Sequence, residues 1–270
     1  MNLTVVVTTF YKHIKYFNRC LSSIKFPNIE FEVLVVLDRP NKYVIRKTEK
    51  IINKSKFKDI KLLINKKKGI SNARNIAFKY ANNQWITFID GDDFFLKNKI
   101  NKNILKKKCD LIIFNSKISS KNPSEFFGFN GIINNKKKIN LIKKYLNKPR
   151  ANSLVNHVWS KFFNLNFLRK NKIRFDKNIS VNEDFLFSSR SIGKAKKILI
   201  KKKIFMVYHN QSSQKKTAIR HIESSKLNYL RPINILANKL NTIDRKIFKN
   251  KALKYWEGKI SYYKKNNYSY

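Results

Sequence analysis

The sequence predicts an α/β fold built on a mostly parallel central sheet, followed by a C-terminal helical extension. Three observations predict it. Leu3 to Thr9 (LTVVVTT), Phe31 to Leu37 (FEVLVVL) and Trp85 to Ile89 (WITFI) are near-continuous apolar, β-branched and aromatic runs, as strands covered on both faces require. Helical periodicity separates them, and strand, helix, strand over this length makes a right-handed crossover unit of a parallel sheet. Each run also ends in polar or acidic groups, Thr8-Thr9-Phe10-Tyr11, Asp38 and Asp90-Gly91-Asp92-Asp93, at the edge where such sheets keep their ligands.

In chain order, Ile14, Phe17, Leu21 and Ile24 share one face of a helix closed by Pro27, and residues 42 to 54 form a second helix after the breaker Arg39-Pro40. Ile60 to Ile64 is a short strand. From Ser71, its expected cap, a helix buries Ala73, Ile76, Ala77, Tyr80 and Ala81. A lysine-rich helix over residues 97 to 108 leads into a strand at Leu111 to Phe114. Beyond Ser116 the alternation weakens: residues 122 to 135 suit a loop or edge strand, Ile139 to Leu146 a helix stopped before Pro149, and Leu165 to Lys170 another helix. Residues 198 to 208 suggest two short strands with a lysine turn. From Lys215 the chain becomes basic helices with Tyr255, Trp256, Tyr262 and Tyr263 interleaved. The expected division is residues 1–115, 116–212 and 213–270, the last being the extension.

A chain of 270 residues suffices for one sizeable core, or one α/β domain with an appended subdomain. Its 42% hydrophobic and 13% aromatic content excludes disorder throughout, despite a mean hydropathy of −0.49. With 60 basic residues against 16 acidic ones the net charge is +44, which attracts anionic surfaces. Lysine dominates that excess, alongside abundant Asn and Ile, as A/T-rich codons alone would produce. No basic motif with aromatic platforms supports a nucleic-acid partner, and none is expected. Cys20 and Cys109 lack metal-ligand spacing and suit reduced, buried thiols of a cytoplasmic protein. The N-terminus enters a strand at once, so no secretory signal is expected. No run approaches the ~20 apolar residues of a bilayer span, which leaves only peripheral contact with the inner face of a membrane.

Carboxylates are scarce here, so three within Asp90-Gly91-Asp92-Asp93 are informative. Crowded acids repel one another unless a cation lies between them, and hard oxygen donors suit Mg²⁺ or Mn²⁺ bridging to phosphate. Taken alone, an Asp-Gly-Asp is equally a solvated turn. Arg74 and Asn75 lie near a helix start, where free N–H groups favour anions, although Arg74 and Lys161 also suit plain solvated charge. Glu183-Asp184 at a helix start is favoured by the dipole as well as by catalysis. His209 is an ordinary histidine or a metal or diphosphate contact, and Trp159 a core residue or a sugar platform.

Four segments in order resemble the family 2 glycosyltransferases with the GT-A fold: Thr8-Thr9-Phe10-Tyr11; Lys68-Gly69-Ile70-Ser71-Asn72-Ala73-Arg74-Asn75; Phe88-Ile89-Asp90-Gly91-Asp92-Asp93; and Trp159-Ser160-Lys161-Phe162-Phe163 followed by Glu183-Asp184. The likeness runs from residue 3 to about 212. It implies an inverting, metal-dependent transfer of a sugar from a nucleotide donor, with UDP-sugars favoured, to a glycan or lipid-linked acceptor in surface polysaccharide or lipopolysaccharide assembly. It further implies that Thr8, Thr9, Tyr11, Asp38, Gly69, Asn72, Arg74, Asp90 and Gly91 line the donor site. Asp90 and Asp92 would hold Mg²⁺ or Mn²⁺, with His209 as a further candidate. Trp159 and Lys161 would meet the acceptor, and Asp184 would be the catalytic base with Glu183 beside it. Where the family often has two adjacent acids followed by Gly-Ser, this chain has Leu37-Asp38-Arg39-Pro40.

Overall fold

The computed structural model describes residues 2–67, 69–97, 100, 102–118, 129–147, 153–179, 181–209 and 226–265. Strands β1 (Leu3–Thr9), β2 (Phe31–Asp38), β3 (Ile60–Asn65) and β4 (Trp85–Asp90) lie parallel in the order β3-β2-β1-β4. Their side chains alternate between two cores. Val6, Leu34, Val36, Ile86 and Phe88 enter one, and Val5, Val7, Val33, Val35, Trp85 and Ile89 the other. Double coverage is why β1, β2 and β4 have no solvent face, whereas β3, at the edge, leaves Lys61 and Ile64 exposed.

The remaining strands change the character of the sheet. β8 (Lys161–Asn164) runs antiparallel between β4 and β6 (Leu111–Ile118), while β9 (Ile198–Tyr208) lies parallel to β6. Two short strands, β5 (Phe94–Phe95) and β7 (Gly131–Ile133), pair antiparallel with opposite ends of β9. The result is a mixed nine-stranded sheet, which corrects the expectation of a mostly parallel one. Apolar patterning reveals a strand but not its direction, and the long connections after β6 let the chain re-enter the sheet either way.

Helices α1 (Ile14–Ser23) and α2 (Lys42–Asn53) cover one face. On the other lie α3 (Ile70–Tyr80), α5 (Asn135–Asn147) and α8 (Glu183–Lys194). Three short helices, α4 (Lys102–Leu105), α6 (Ser153–Asn156) and α7 (Leu165–Lys170), complete the connections. The lysine-rich helix expected over residues 97 to 108 shrinks to α4, where Ile104 and Leu105 supply the apolar contact, while Ile100 buries in the same core from outside the helix. Residues 98, 99 and 101 lie outside the described ones. Where two strands with a lysine turn were expected, β9 is continuous over 11 residues. Its register against β6 shifts around Asn115, and this irregularity lets Lys202 and Lys203 reach solvent from within a strand.

The C-terminal extension forms α9 (Lys226–Ala237) and α10 (Thr242–Lys265). Ile233, Leu236, Leu240, Phe248 and Ala252 bury into the same core as α3 and α8, with Tyr255 and Trp256 packed against it. Tyr262 is exposed, and the side chain of Tyr263 lies outside the described ones, as do residues 215–225. Both cysteines are buried free thiols. Among the described residues, no helix is long and apolar enough to cross a membrane.

Candidate active site

The parallel half of the sheet delivers three strand ends to one edge. Register pairs Thr8 of β1 with Asp90 of β4, and the Thr8 hydroxyl donates to Asp90 Oδ1 at 2.8 Å. One residue on, the Gly91 N–H donates to the Thr8 carbonyl at 2.8 Å. A Cβ at Gly91 would lie 2.4 Å from Thr9 Oγ1, so the turn closes only because residue 91 has no side chain. The Thr9 hydroxyl itself is buried without a hydrogen-bond partner, a polar atom aligned for something the protein does not supply. Tyr11 stands 59% exposed in the short 3₁₀ turn after β1, at the rim.

At the end of β2, Asp38 accepts from the Asn65 amide at 2.8 Å. The same amide also donates to the Lys67 carbonyl, so Asn65 ties β2 to the turn leading to α3. That turn ends in Gly69 at φ 112°, which caps α3 with its carbonyl against the Asn72 and Ala73 amides. The cap is therefore Gly69 and not Ser71, because the left-handed backbone there suits glycine alone. The buried face of α3 carries Ala73, Arg74, Ala77 and Phe78, whereas Tyr80 is exposed. Asn75 exchanges two hydrogen bonds with the Phe175 backbone, at 2.9 and 3.0 Å, and so acts as a clamp rather than an anion contact.

The three aspartates after β4 have separate surroundings. Asp93 is fully buried; its Oδ1 accepts the His209 backbone N–H at 2.7 Å while Oδ2 is unpartnered. Burial, reinforced by Asp90, pushes its pKa well up, and its hydrogen bond to His209 ties the turn to the end of β9. Asp92 is pushed up to about 7, first by burial and then by Asp90 beside it. His13 Nδ1 lies 3.2 Å from Asp92 Oδ1, near enough for an ion pair without hydrogen-bond geometry, and Arg19 donates to the Asp92 carbonyl at 2.7 Å. Asp90 faces Arg74 instead, at 3.1 Å.

Arg74 joins the two acidic regions. One guanidinium nitrogen reaches Asp90 and the other reaches Glu183 Oε1 at 3.2 Å, with the group centred 5.3 Å above the Phe175 ring. The side chain is 4% exposed, which removes the alternative of plain solvated charge. Burial disfavours the cation, yet Asp90 and Glu183 outweigh it and hold its pKa above the ordinary value. Glu183 and Asp184 open α8 after Asn182, which takes the left-handed conformation at φ 66°. Burial, then Asp184, pushes Glu183 up to about 7 against the pull of Arg74. For Asp184 burial again opposes ionisation. His157, whose Nδ1 lies 3.0 Å from Oδ2, wins together with Arg74 and holds the carboxyl below its usual range. Two adjacent carboxyls thus differ in protonation, one near neutrality and one firmly anionic.

Lys161 is 1% exposed, so solvated charge fails for it too. Its ammonium donates to the His157 carbonyl rather than reaching the cleft surface, and burial lowers its pKa to about 7. Trp159 is 5% exposed and stacks on both His157, at 4.3 Å, and Tyr208, at 5.5 Å. The imidazole of His209 packs edge-on to Tyr16 at 5.0 Å.

Among the described residues no three His, Cys, Asp or Glu side chains form an all-protein metal cage. Asp90 and Asp92 fit a different arrangement, in which a hard cation is held by one or two carboxylates together with substrate phosphate. Burial first, and then the repulsion from Asp90, raise Asp92, and a cation there would offset both. Asp92 suits this better than Asp90, one oxygen of which already serves Arg74 and Thr8.

His13, Asn65 and His157 are site residues that sequence reasoning missed. His13 and His157 each fall within three residues of a quoted motif, which was the available signal. An isolated histidine without ligand spacing carries no signature of its own.

A family model described as Glycosyl transferase family 2 matches residues 4–222. The poly(ribitol-phosphate) beta-N-acetylglucosaminyltransferase TarS of Staphylococcus aureus is 36% identical over 115 residues, which are 42% of this chain and 19% of that protein. The UDP-Glc:alpha-D-GlcNAc-diphosphoundecaprenol beta-1,3-glucosyltransferase WfgD of Escherichia coli is 40% identical over 67 residues, 23% of this chain and 26% of its own. The matched stretches thus span about a fifth and a quarter of these relatives' lengths. The crystal structure of S. aureus TarS 1-349 in complex with UDP-GlcNAc superposes with a TM-score of 0.64 at 16% identity, over 98% of this chain and 92% of that one, and so shares the fold.

Proposed function

Given that the chain belongs to glycosyl transferase family 2, we propose that it is an inverting hexosyltransferase moving a sugar from a nucleoside diphosphate to an acceptor hydroxyl in glycan assembly. The observation that carries this is the span of Arg74 from Asp90 to Glu183. A single guanidinium holds the acidic strand end and the start of α8 side by side, as is needed when the diphosphate leaves the anomeric carbon while a base takes the proton of the hydroxyl attacking it.

Asp184 is the base. It stays anionic, and the N-terminal dipole of α8 also favours its charge. It takes the acceptor proton as that oxygen bonds to the anomeric carbon, while the electron pair of the breaking C–O bond leaves with the diphosphate. Attack opposite the leaving group inverts the anomeric configuration. Glu183 orients Arg74, and Arg74 with the Gly69 turn and Asn72 faces the diphosphate or the sugar. Thr8, Thr9, Tyr11 and Asp38 line the nucleoside side. Asp92, with Asp90, would hold Mg²⁺ or Mn²⁺, whose charge offsets that of the leaving diphosphate; His209 would come no nearer than a diphosphate contact.

A UDP-sugar donor is favoured because TarS is crystallised with UDP-GlcNAc and WfgD is named for UDP-Glc. The latter name also favours a lipid-linked acceptor, met by a cytoplasmic protein touching the inner face of the membrane. Residues 1–115 would then serve the donor, 116–212 the acceptor, and 213–270 the packing of both. A screen of nucleotide sugars with Mn²⁺, reading released nucleoside diphosphate, tests the proposal. UDP release from one UDP-hexose is expected, and silence across all donors despite UDP binding contradicts it.

A further inference from the structure

The segment before β8 is held more firmly than a loop needs to be, and what it holds is one imidazole. His157 Nδ1 meets Asp184 Oδ2 at 3.0 Å, while its own carbonyl accepts the Ser188 hydroxyl at 2.9 Å. Asp184 and Ser188 are four residues apart on α8 and so share a face, which means the helix grips both the side chain and the backbone of one residue. The buried ammonium of Lys161 donates to that same carbonyl, and the neighbouring Asn156 accepts the Tyr145 hydroxyl. The ring plane is fixed as well, lying 9° from Trp159, which lies 13° from Tyr208. Burying a lysine to fix a carbonyl is costly unless the placement matters.

We propose that His157 is the positioning residue of the base, donating from Nδ1 to Asp184 so that the carboxylate is held anionic and aimed at the acceptor. This rests on Asp184 being the base. The Phe185 N–H occupies Oδ1 at 2.8 Å, so with His157 on Oδ2 both oxygens are oriented and a lone pair is left for the incoming hydroxyl. Half-exposed, with 39% of its side chain open against 20% for Asp184, the imidazole stands on the solvent side of the base, where an acceptor arrives. Other groups act on Asp184 as well: Glu183 beside it, Arg74 from α3, Lys161 from β8, Tyr145 from α5 and Tyr208 from β9. His157 hydrogen-bonds the carboxylate side chain to side chain, at 3.0 Å.

The test uses the full chain with UDP-GlcNAc and Mn²⁺, reading UDP released to water, alongside a carboxyl ¹³C titration of Asp184 assigned with Asp184→Asn. His157→Ala should lower kcat by about 10- to 100-fold, less than removal of the base itself. UDP affinity and the thermal midpoint should stay put. The acid limb of kcat and the Asp184 titration should both move to higher pH, because the anion has lost its donor. His157→Asn, whose amide nitrogen sits near the place of Nδ1, should recover most of the rate. His157→Phe keeps the stack on Trp159 without the donor and should not. A fully active His157→Phe, or a His157→Ala variant with unmoved titration and acid limb, overturns the role of His157 while leaving the transferase intact. A wild-type chain without turnover on any nucleotide sugar overturns the transferase proposal itself, and this role with it.

Discussion

A methyl group at position 91 has nowhere to go. Its carbon would stand 2.4 Å from the Thr9 hydroxyl, inside the strand edge that frames the proposed donor site. Gly91→Ala should therefore push the acidic turn off β1 and weaken UDP binding at least tenfold, a loss that calorimetric titration would detect. Arg74 is the other residue on which the site turns. Removing it leaves Glu183 without its cation and takes from Asp90, a quarter exposed and still held by Thr8, one of its partners; breaking a buried pair typically costs about 3–5 kcal/mol. Arg74→Ala should lose stability of that order in urea melts, and Arg74→Lys should recover only part, since one ammonium does not span both acids. The acids themselves were legible, because 16 carboxylates among 60 cations make any cluster stand out. Arg74 and Lys161 were singled out through the family resemblance, but their burial was not legible, for the converse reason: in a chain so basic, one cation resembles every other.

At the scale of elements, α8 and β8 carry opposite pH dependences. Glu183 at the start of α8 keeps its proton up to about 7, against an ordinary 4.5, so the native state binds more protons than the unfolded one across that window. Stability should fall as pH rises through it, by up to about 3 kcal/mol, and Glu183→Gln should flatten the slope. Lys161 on β8 releases its proton near 7 against an ordinary 10.5, so its contribution is full at alkaline pH and lost as pH falls through 7. Lys161→Met should flatten the rise in stability between pH 7 and 10, as denaturant melts at each pH would record. The four parallel strands were legible element by element, since each apolar run ends where its ligand edge begins. β8 was not: Lys161–Asn164 is short, starts with a buried lysine and alternates with nothing. The long β9 was split in expectation because three consecutive lysines look like a turn; pairing with β6 on either side of Lys202 and Lys203 keeps the strand continuous through them.

The whole molecule is one sheet with two cores, and the C-terminal helices close one of them. Ile233, Leu236, Leu240 and Phe248 each lie at or below 5% exposure against α3, α5 or α8, and opening such sites costs on the order of 2–5 kcal/mol per side chain. A chain ended at residue 212 should therefore fail to fold cooperatively, visible as a lost thermal transition by circular dichroism. The helical extension was legible from its basic and aromatic pattern, but which side chains form its apolar stripe shows only against the core. At this scale the account makes one claim: the acidic edge of β4 and the start of α8 serve a single sugar-transfer event. The most direct measurement compares UDP-GlcNAc turnover and UDP affinity in Asp184→Asn and wild type, both with Mn²⁺. The account predicts unchanged affinity with turnover reduced about a hundredfold or more. Turnover within a few-fold of wild type would contradict it.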